Sequence, residues 1–175
     1  MTDVVIRGGH IVTESGVERA DVAIEGEIIT AIGVDLPGGR AEIDARGLHV
    51  LPALIDVHVH FNEPGHESWE GAATGSGALA AGGGALFFDM PLNSVPCTLT
   101  PGEFERKRRA LAAASITDFA LWGGLTPGSL DQMQALADCG VVGFKAFMCD
   151  SGLPEFPKAD PDTLLAGMRI AAAVG

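Results

Sequence analysis

Basic residues, cysteines and long hydrophobic segments are all scarce in this sequence. Of its 175 residues, 11 are lysine or arginine against 23 aspartates and glutamates, and the net charge of −12 excludes a nucleic-acid partner because no basic surface could neutralise phosphates. Pro52, Asp56 and several glycines interrupt the longest apolar runs, so we expect no membrane-spanning segment. The N-terminus lacks the basic region and apolar core of a signal peptide. Three cysteines without metal-type spacing indicate free thiols, and therefore a cytoplasmic protein.

One run of basic residues does occur, at 106–109. It follows Glu103 and Glu105 in a helical pattern. Acids and bases at this spacing are typical of a solvent-exposed helix face. We therefore predict that the run is exposed and is not a binding surface.

The first 52 residues have the pattern of short strands and turns. Apolar residues flank Arg7-Gly8-Gly9, which predicts a first hairpin, and Glu25-Gly26-Glu27, which predicts a second. Another short strand is expected at 41–44. Such strands bury little apolar surface unless a second sheet covers them.

From residue 53 onward the pattern changes to alternating strands and helices, which predicts an α/β fold. Strands are expected at 54–58, 85–89, 118–122 and 141–148, and helices at 69–81, from 100, at 126–140 and from 160. Because the strands are nearly continuous apolar runs, we expect parallel strands buried on both faces. A closed (β/α)8 barrel needs about 250 residues, so residues 53–175 correspond to roughly its first half, four βα units.

Two histidines lie at the end of the first of these strands. A strand has a side-chain period of two, so Asp56, His58 and His60 share one face. Imidazoles placed side by side are good ligands for a divalent metal, although a hydrogen-bonded pair inside a core is the alternative. Asp56 is predicted to orient a metal-bound imidazole by accepting its outer N–H.

Lys145 lies in the last predicted strand, where both faces are apolar. We therefore expect it to be buried, and a buried lysine either finds a partner or loses its proton. A neutral lysine can react with carbon dioxide to give a carbamate, an anionic ligand able to bridge two metal ions. A structural lysine paired with a buried acid is the alternative.

Two asparagines follow strand ends and are candidates for substrate contact. Asn62 lies in the turn after His60, and Asn93 lies in the segment after the second predicted strand. Ordinary turn chemistry explains both positions nearly as well.

Four motifs together resemble the allantoinases. They are Asp-Val-His-Val-His-Phe-Asn-Glu-Pro-Gly at 56–65, Trp-Glu-Gly at 69–71, Asp-Met-Pro-Leu-Asn-Ser at 89–94 and Gly-Phe-Lys-Ala-Phe-Met-Cys-Asp-Ser-Gly at 143–152. Allantoinases belong to the cyclic-amidohydrolase branch of the amidohydrolase superfamily, with dihydroorotase and hydantoinase/dihydropyrimidinase. The resemblance covers essentially the whole chain, and the order and spacing of the motifs make it specific.

The resemblance implies a fold, a metal site and a reaction. The fold is a metal-bearing (β/α)8 barrel with a small β-sandwich, to which residues 1–52 would contribute and residues 53–175 would supply the first barrel units. His58 and His60 would bind one of two divalent metal ions, and carbamylated Lys145 would bridge to the other; zinc is expected, although manganese, cobalt and iron suit the same ligands. The substrate would be a cyclic ureide or amide, and the reaction would be the hydrolysis of allantoin to allantoate. The assembly would be a homo-tetramer.

The sequence departs from the family pattern after Lys145. In the family, later strands supply two further histidines and an aspartate that acts as ligand and general base. The five histidines of this chain are His10, His49, His58, His60 and His66. No catalytic residue is therefore assigned, and we expect the 175-residue polypeptide alone to be inactive.

Two other interpretations remain open. Dihydroorotases carry an arginine at the position of Asn62 to pair with a substrate carboxylate, so Asn62 favours a neutral ureide over dihydroorotate. A dihydropyrimidinase or hydantoinase remains the other enzyme alternative. A non-catalytic scaffold of the same fold is the alternative from another class, although such relatives typically lose metal ligands that this chain retains.

Overall fold

A computed structural model describes residues 2–175. The chain divides into two units, Met1–Pro52 and Ala53–Gly175. No helix among the described residues is long and apolar enough to cross a bilayer.

The first unit is a five-stranded sheet. Its strands are β1 (Val4–Thr13), β2 (Gly16–Glu25), β3 (Ile28–Gly33), β4 (Ala41–Asp44) and β5 (His49–Val50). The order is β3-β2-β1-β4, and β5 also pairs with β1. Strands β1, β2 and β3 are antiparallel, whereas β4 and β5 run parallel to β1. The small core consists of buried apolar side chains from β1 and β2, including Val5, Ile11, Ala20, Val22 and Ala23.

The prediction of a hairpin at Arg7-Gly8-Gly9 is wrong. Strand β1 continues through these residues, and its pairing with β2 shifts register between Ile6 and Gly9, which is a β-bulge. Gly8 adopts φ +65, a conformation that suits both a bulge and a turn. The true turn lies between Thr13 and Gly16. The second predicted hairpin, between β2 and β3, is confirmed.

The second unit alternates strands and helices. In chain order it contains β6 (Leu54–Val59), α1 (Ala72–Ala81), β7 (Gly84–Asp89), α2 (Pro101–Ala114), β8 (Asp118–Leu121), β9 (Gly123–Gly124), α3 (Met133–Asp138), β10 (Phe144–Lys145) and α4 (Pro161–Val174). Strands β6, β7 and β8 form one parallel sheet in that order, and β9 pairs in parallel with β10. The main core lies between this sheet and the helices, and consists of Phe61, Ala72, Phe87, Phe104, Leu111, Leu121 and Leu136.

Helix α2 begins as the sequence predicts. The Thr100 side chain accepts a hydrogen bond from the Glu103 N–H at 3.4 Å, and Pro101 occupies the first turn. The Glu103 carboxylate accepts from the Leu99 N–H at 3.0 Å, one residue before the position that a capping box uses. The side chain and main chain of Thr100 thus satisfy the N–H groups of Glu103 and Phe104.

Two predicted helices begin later than expected. Helix α1 starts at Ala72, not at Trp69, because the Trp69 N–H closes a turn onto the His66 carbonyl. Helix α3 starts at Met133, since the Ser129 hydroxyl accepts from the Thr126 N–H and a short 3-10 segment follows. The strand predicted at 141–148 shrinks to the two residues of β10.

Strand β7 is largely buried, whereas most of β6 is exposed. Phe87 in β7 has no exposed surface, whereas Leu54, Ile55 and Val57 in β6 are 64%, 56% and 53% exposed. Strand β7 lies between two strands and contacts helix α1, whereas among the described residues β6 is at the edge of the sheet with one strand neighbour. The prediction for β6 is therefore wrong for this chain.

The four basic residues at 106–109 also differ in burial. Lys107 is 1% exposed, while the three arginines beside it are exposed as predicted. The prediction of a solvated face is wrong for Lys107, whose side chain points to the buried carboxylate of Asp89 at 2.8 Å.

Candidate metal centre

The three predicted metal ligands converge at the carboxyl ends of two strands. His58 lies near the end of β6, with His60 just beyond it, and Lys145 ends β10. The Nζ atom of Lys145 is 3.3 Å from Nε2 of His58, although 87 residues separate them. The ring centroids of His58 and His60 are 5.4 Å apart. Parallel strands place their carboxyl ends at one edge of a sheet, which is why residues so distant in sequence meet here.

A cavity of about 360 Å³ opens beside two of these residues. One wall carries the indole of Trp122, whose Nε1–H donates to the Val57 carbonyl at 3.0 Å. Its lining residues are Val57, His58, Met90, Trp122, Phe144, Lys145 and Ala146. Mostly apolar walls around a few polar groups are typical of a small-molecule site.

His60 is oriented by a main-chain carbonyl. Its Nδ1 lies 3.2 Å from the Leu92 oxygen, and in the tautomer that donates this bond Nε2 keeps a free lone pair. Burial is the main cause that lowers the pKa of His60, which favours the neutral ring that a metal requires. No sequence pattern points to Leu92, because any residue supplies the same carbonyl.

Lys145 is only partly buried, which corrects the expectation of a fully buried lysine. Its strand is two residues long and pairs with β9. Burial nevertheless lowers its pKa. The ammonium also lies 5.1 Å from the ring centroid of Phe147. Its polar contact is the His58 ring, and the alternative of a buried acid partner finds no support among its described contacts.

Asp56 bonds to the main chain in this structure. Its Oδ1 accepts from the His58 N–H at 3.0 Å. The role predicted for it, holding an imidazole ring, stays a prediction.

The two predicted substrate residues share an unusual backbone conformation and a common neighbour. Asn62 and Asn93 have φ values of +60 and +70, in the left-handed region that asparagine tolerates. The main-chain N–H of His66 donates to the Asn62 carbonyl at 2.9 Å, and its Nδ1 is 2.9 Å from the Asn93 carbonyl. Its ring stacks on Trp69 with centroids 4.1 Å apart. His66 links the two asparagine segments, and no sequence pattern singled it out.

The donor set fits a divalent metal in part. Within residues 2–175, no three His, Cys, Asp or Glu side chains group as a metal site. The chain instead offers two imidazoles and one lysine, and a lysine becomes a ligand only when it is neutral or carbamylated. Nε2 of His60 is free to bind a metal in the tautomer that donates to Leu92, and the Lys145 amine lies next to the His58 ring.

Known sequences resemble this chain from end to end. It is 62% identical to an allantoinase from Solibacter usitatus over 100% of the chain, and 53% identical to an allantoinase from Rubrobacter xylanophilus over 99%. The chain is a homologue of the allantoinases. It spans 38% of the length of each of these two relatives, and corresponds to their N-terminal part. No protein-family model matches it.

Solved structures from the same superfamily share the fold. An L-hydantoinase (dihydropyrimidinase) from Arthrobacter aurescens superposes with a TM-score of 0.91 at 29% identity. The match covers 99% of this chain and 39% of the hydantoinase chain. A D-hydantoinase from Bacillus sp. AR9 gives a TM-score of 0.82 at 28% identity, with 99% and 38% covered. The α/β fold therefore matches the N-terminal part of hydantoinases.

Proposed function

We propose that the natural gene product carrying this sequence hydrolyses a cyclic amide, and that its reaction is the conversion of allantoin to allantoate. The contact that carries the proposal is the 3.3 Å approach of Lys145 Nζ to His58 Nε2, beside the ring of His60. The allantoinase name of relatives up to 62% identical supplies the substrate.

In this proposal His58, His60 and carbamylated Lys145 hold two divalent metal ions, with zinc expected. The metal ions supply Lewis acidity toward the ring carbonyl of the substrate. His60 is prepared for its role because its Nδ1–H donates to the Leu92 carbonyl, which leaves the lone pair of Nε2 free. The lowered pKa of Lys145 increases the fraction of neutral amine, which is the form that reacts with carbon dioxide.

Asn62 and Asn93 are proposed to contact the substrate. Their strained backbone conformations are typical of functional sites, and His66 bonds to both of their carbonyls. A neutral amide suits the neutral ureido group of allantoin, whereas dihydroorotate would require a cation for its carboxylate. Because similar solved structures are hydantoinases, hydantoin and dihydropyrimidine rings are the alternative substrates in this proposal.

Several broader expectations accompany this function. Residues 53–175 are proposed to be the first four units of a (β/α)8 barrel, and residues 1–52 part of a β-sandwich. A homo-tetramer and a cytoplasmic location stay predictions, the second resting on the three free thiols. Asp56 is proposed to hold an imidazole in the metal-loaded state.

The test is an assay of the natural gene product with zinc and carbon dioxide present. Allantoin, hydantoin, dihydrouracil and dihydroorotate are compared as substrates at equal concentration. We expect the highest kcat/KM for allantoin and loss of activity in Lys145→Ala. The 175-residue polypeptide serves as a parallel sample and is expected to be inactive, since it carries only part of the family's ligand set.

Two results would change the conclusion. Preference for hydantoin or dihydrouracil would move the assignment to a hydantoinase. Absence of tight zinc binding and of hydrolysis of all four rings would favour the scaffold alternative.

A further inference from the structure

A buried ion pair connects helix α2 with the end of strand β7. The side chains of Lys107 and Asp89 are 2% and 0% exposed, and Nζ lies 2.8 Å from Oδ2. Removing two charges from water is costly, and an apolar pair of similar volume is often equally stable. Stability alone therefore does not explain why this position carries charges.

Asp89 bonds to the main chain next to His60. Its Oδ1 accepts from the Phe61 N–H at 3.0 Å. On the other side of His60, the Val59 carbonyl accepts from the Met90 N–H at 2.9 Å. The backbone is thus fixed immediately before and immediately after His60, and both bonds come from the two residues that end and follow β7.

Lys107 fixes the segment that orients the His60 ring. Its Nζ donates to the Met90 carbonyl and to the Ser94 hydroxyl, the second at 3.3 Å. Both acceptors flank Leu92, whose carbonyl accepts from Nδ1 of His60 at 3.2 Å. One buried ammonium therefore holds both ends of the segment that sets the direction of the imidazole.

We infer that Asp89 and Lys107 are positioning residues for the metal ligand His60. The inference rests on the proposed function, because it takes His60 as a ligand. The ion pair holds the main chain on either side of the histidine and the carbonyl that fixes its ring. Outer partners of this kind typically change metal affinity by about 10–100-fold when they are removed.

The test compares zinc affinity and stability in the natural gene product. The variants are Lys107→Met, the double variant Asp89→Asn with Lys107→Met, and Ser94→Ala, which removes one acceptor. Arg106→Met is the matched control, because it deletes one positive charge from an exposed neighbour on the same helix. Zinc dissociation constants come from chelator competition, and stability comes from the urea midpoint.

We expect Lys107→Met to weaken zinc binding by about 10–100-fold and to lower the urea midpoint, since it leaves Asp89 buried and unpaired. The double variant should recover most of the midpoint while zinc binding stays weak. Ser94→Ala should weaken zinc binding by a smaller factor with little change in midpoint, and Arg106→Met should change neither quantity.

Recovery of zinc affinity together with stability in the double variant would overturn the inference, because the pair would then be only structural. If the unmodified protein binds no zinc, the proposed function fails instead. Hydrogen exchange at the Met90 amide, which donates to the Val59 carbonyl, then decides the positioning role: selective acceleration there in the double variant supports it, and unchanged exchange there overturns it.

Discussion

The two histidines of the candidate metal centre are held in different ways. His60 is partly buried, its ring bonds to the Leu92 carbonyl, and a buried ion pair fixes the main chain beside it. His58 lies exposed on β6, and its ring contacts Lys145. We call His60 with residues 89–94 the anchored side, and His58 with Lys145 the open side.

This difference separates two kinds of mutational effect. On the anchored side, the side chains that hold the main chain around His60 are buried, so changes there should reduce stability and metal binding together. On the open side the described residues make few contacts, so changes there should reduce metal binding alone.

Asp89→Ala should be the most damaging substitution on the anchored side. It leaves the Lys107 ammonium buried without its counter-ion and removes the acceptor for the Phe61 N–H. We expect the free energy of unfolding to fall by about 3–5 kcal/mol, measured by urea denaturation. Arg109→Ala, which breaks an exposed pair with Glu105, is the control and should cost less than about 1 kcal/mol. Similar losses in the two variants would contradict the buried anchor.

Gly75→Ala should disturb the anchored side from helix α1. A Cβ at Gly75 would lie 2.4 Å from Cδ1 of Phe61, the residue after His60. We expect a loss of about 1–3 kcal/mol from this overpacking. Gly77→Ala in the same helix meets no atom within 4 Å and should instead stabilise the protein by about 0.5–1 kcal/mol. Thermal unfolding of both variants checks the pair, and equal shifts would show that Phe61 is not tightly packed.

Acidification should weaken the anchored side in the absence of metal. Burial lowers the pKa of His60 below its ordinary value of 6.5, so the unfolded chain takes up this proton first as the pH falls. The stability contributed by neutral His60 is therefore complete above pH 6.5 and is lost as the pH falls toward the folded-state pKa. Each unit of pKa difference corresponds to about 1.4 kcal/mol.

Urea midpoints measured with a chelator between pH 7.5 and pH 5 test this point. The His60→Ala variant should lack this part of the pH dependence. An identical slope in both proteins would mean that His60 does not carry it.

His58→Ala should change stability least. Its side chain is exposed and lies on a strand whose apolar residues are themselves exposed. We expect the free energy of unfolding to stay within about 0.5 kcal/mol of the original value, while zinc binding falls strongly. A destabilisation comparable to that of Asp89→Ala would remove the distinction between the two sides.

The proximity of the three candidate ligands was predictable from the sequence, whereas the residues that hold them in place were not. Metal binding by these ligands stays a prediction. The period of a strand places His58 and His60 together, and a parallel topology brings Lys145 to the same edge. By contrast, the Leu92 carbonyl is a main-chain group that any residue provides. Lys107 looked like part of an exposed basic face, because helical spacing alone does not reveal which position faces a buried carboxylate.

Local turn signals explain the errors in the fold. Arg7-Gly8-Gly9 has the composition of a hairpin turn, but a positive φ at Gly8 serves a bulge equally well, and pairing with β2 decides between them. The apolar run of β6 predicted burial on both faces because a run reports hydrophobicity, not which elements pack against the strand. Capping signals were more reliable, since Thr100 and its glutamate act within a single turn.

The zinc affinity of the natural gene product, compared with that of its Lys145→Ala variant, tests the central claim most directly. We predict that the unmodified protein binds zinc tightly and that the variant binds it at least about 100-fold more weakly, because losing a ligand reduces metal affinity more than losing an outer hydrogen-bond partner. The urea midpoint should be the same in both proteins. Equal zinc affinity in the two proteins, or none in either, would contradict a metal centre built on His58, His60 and Lys145.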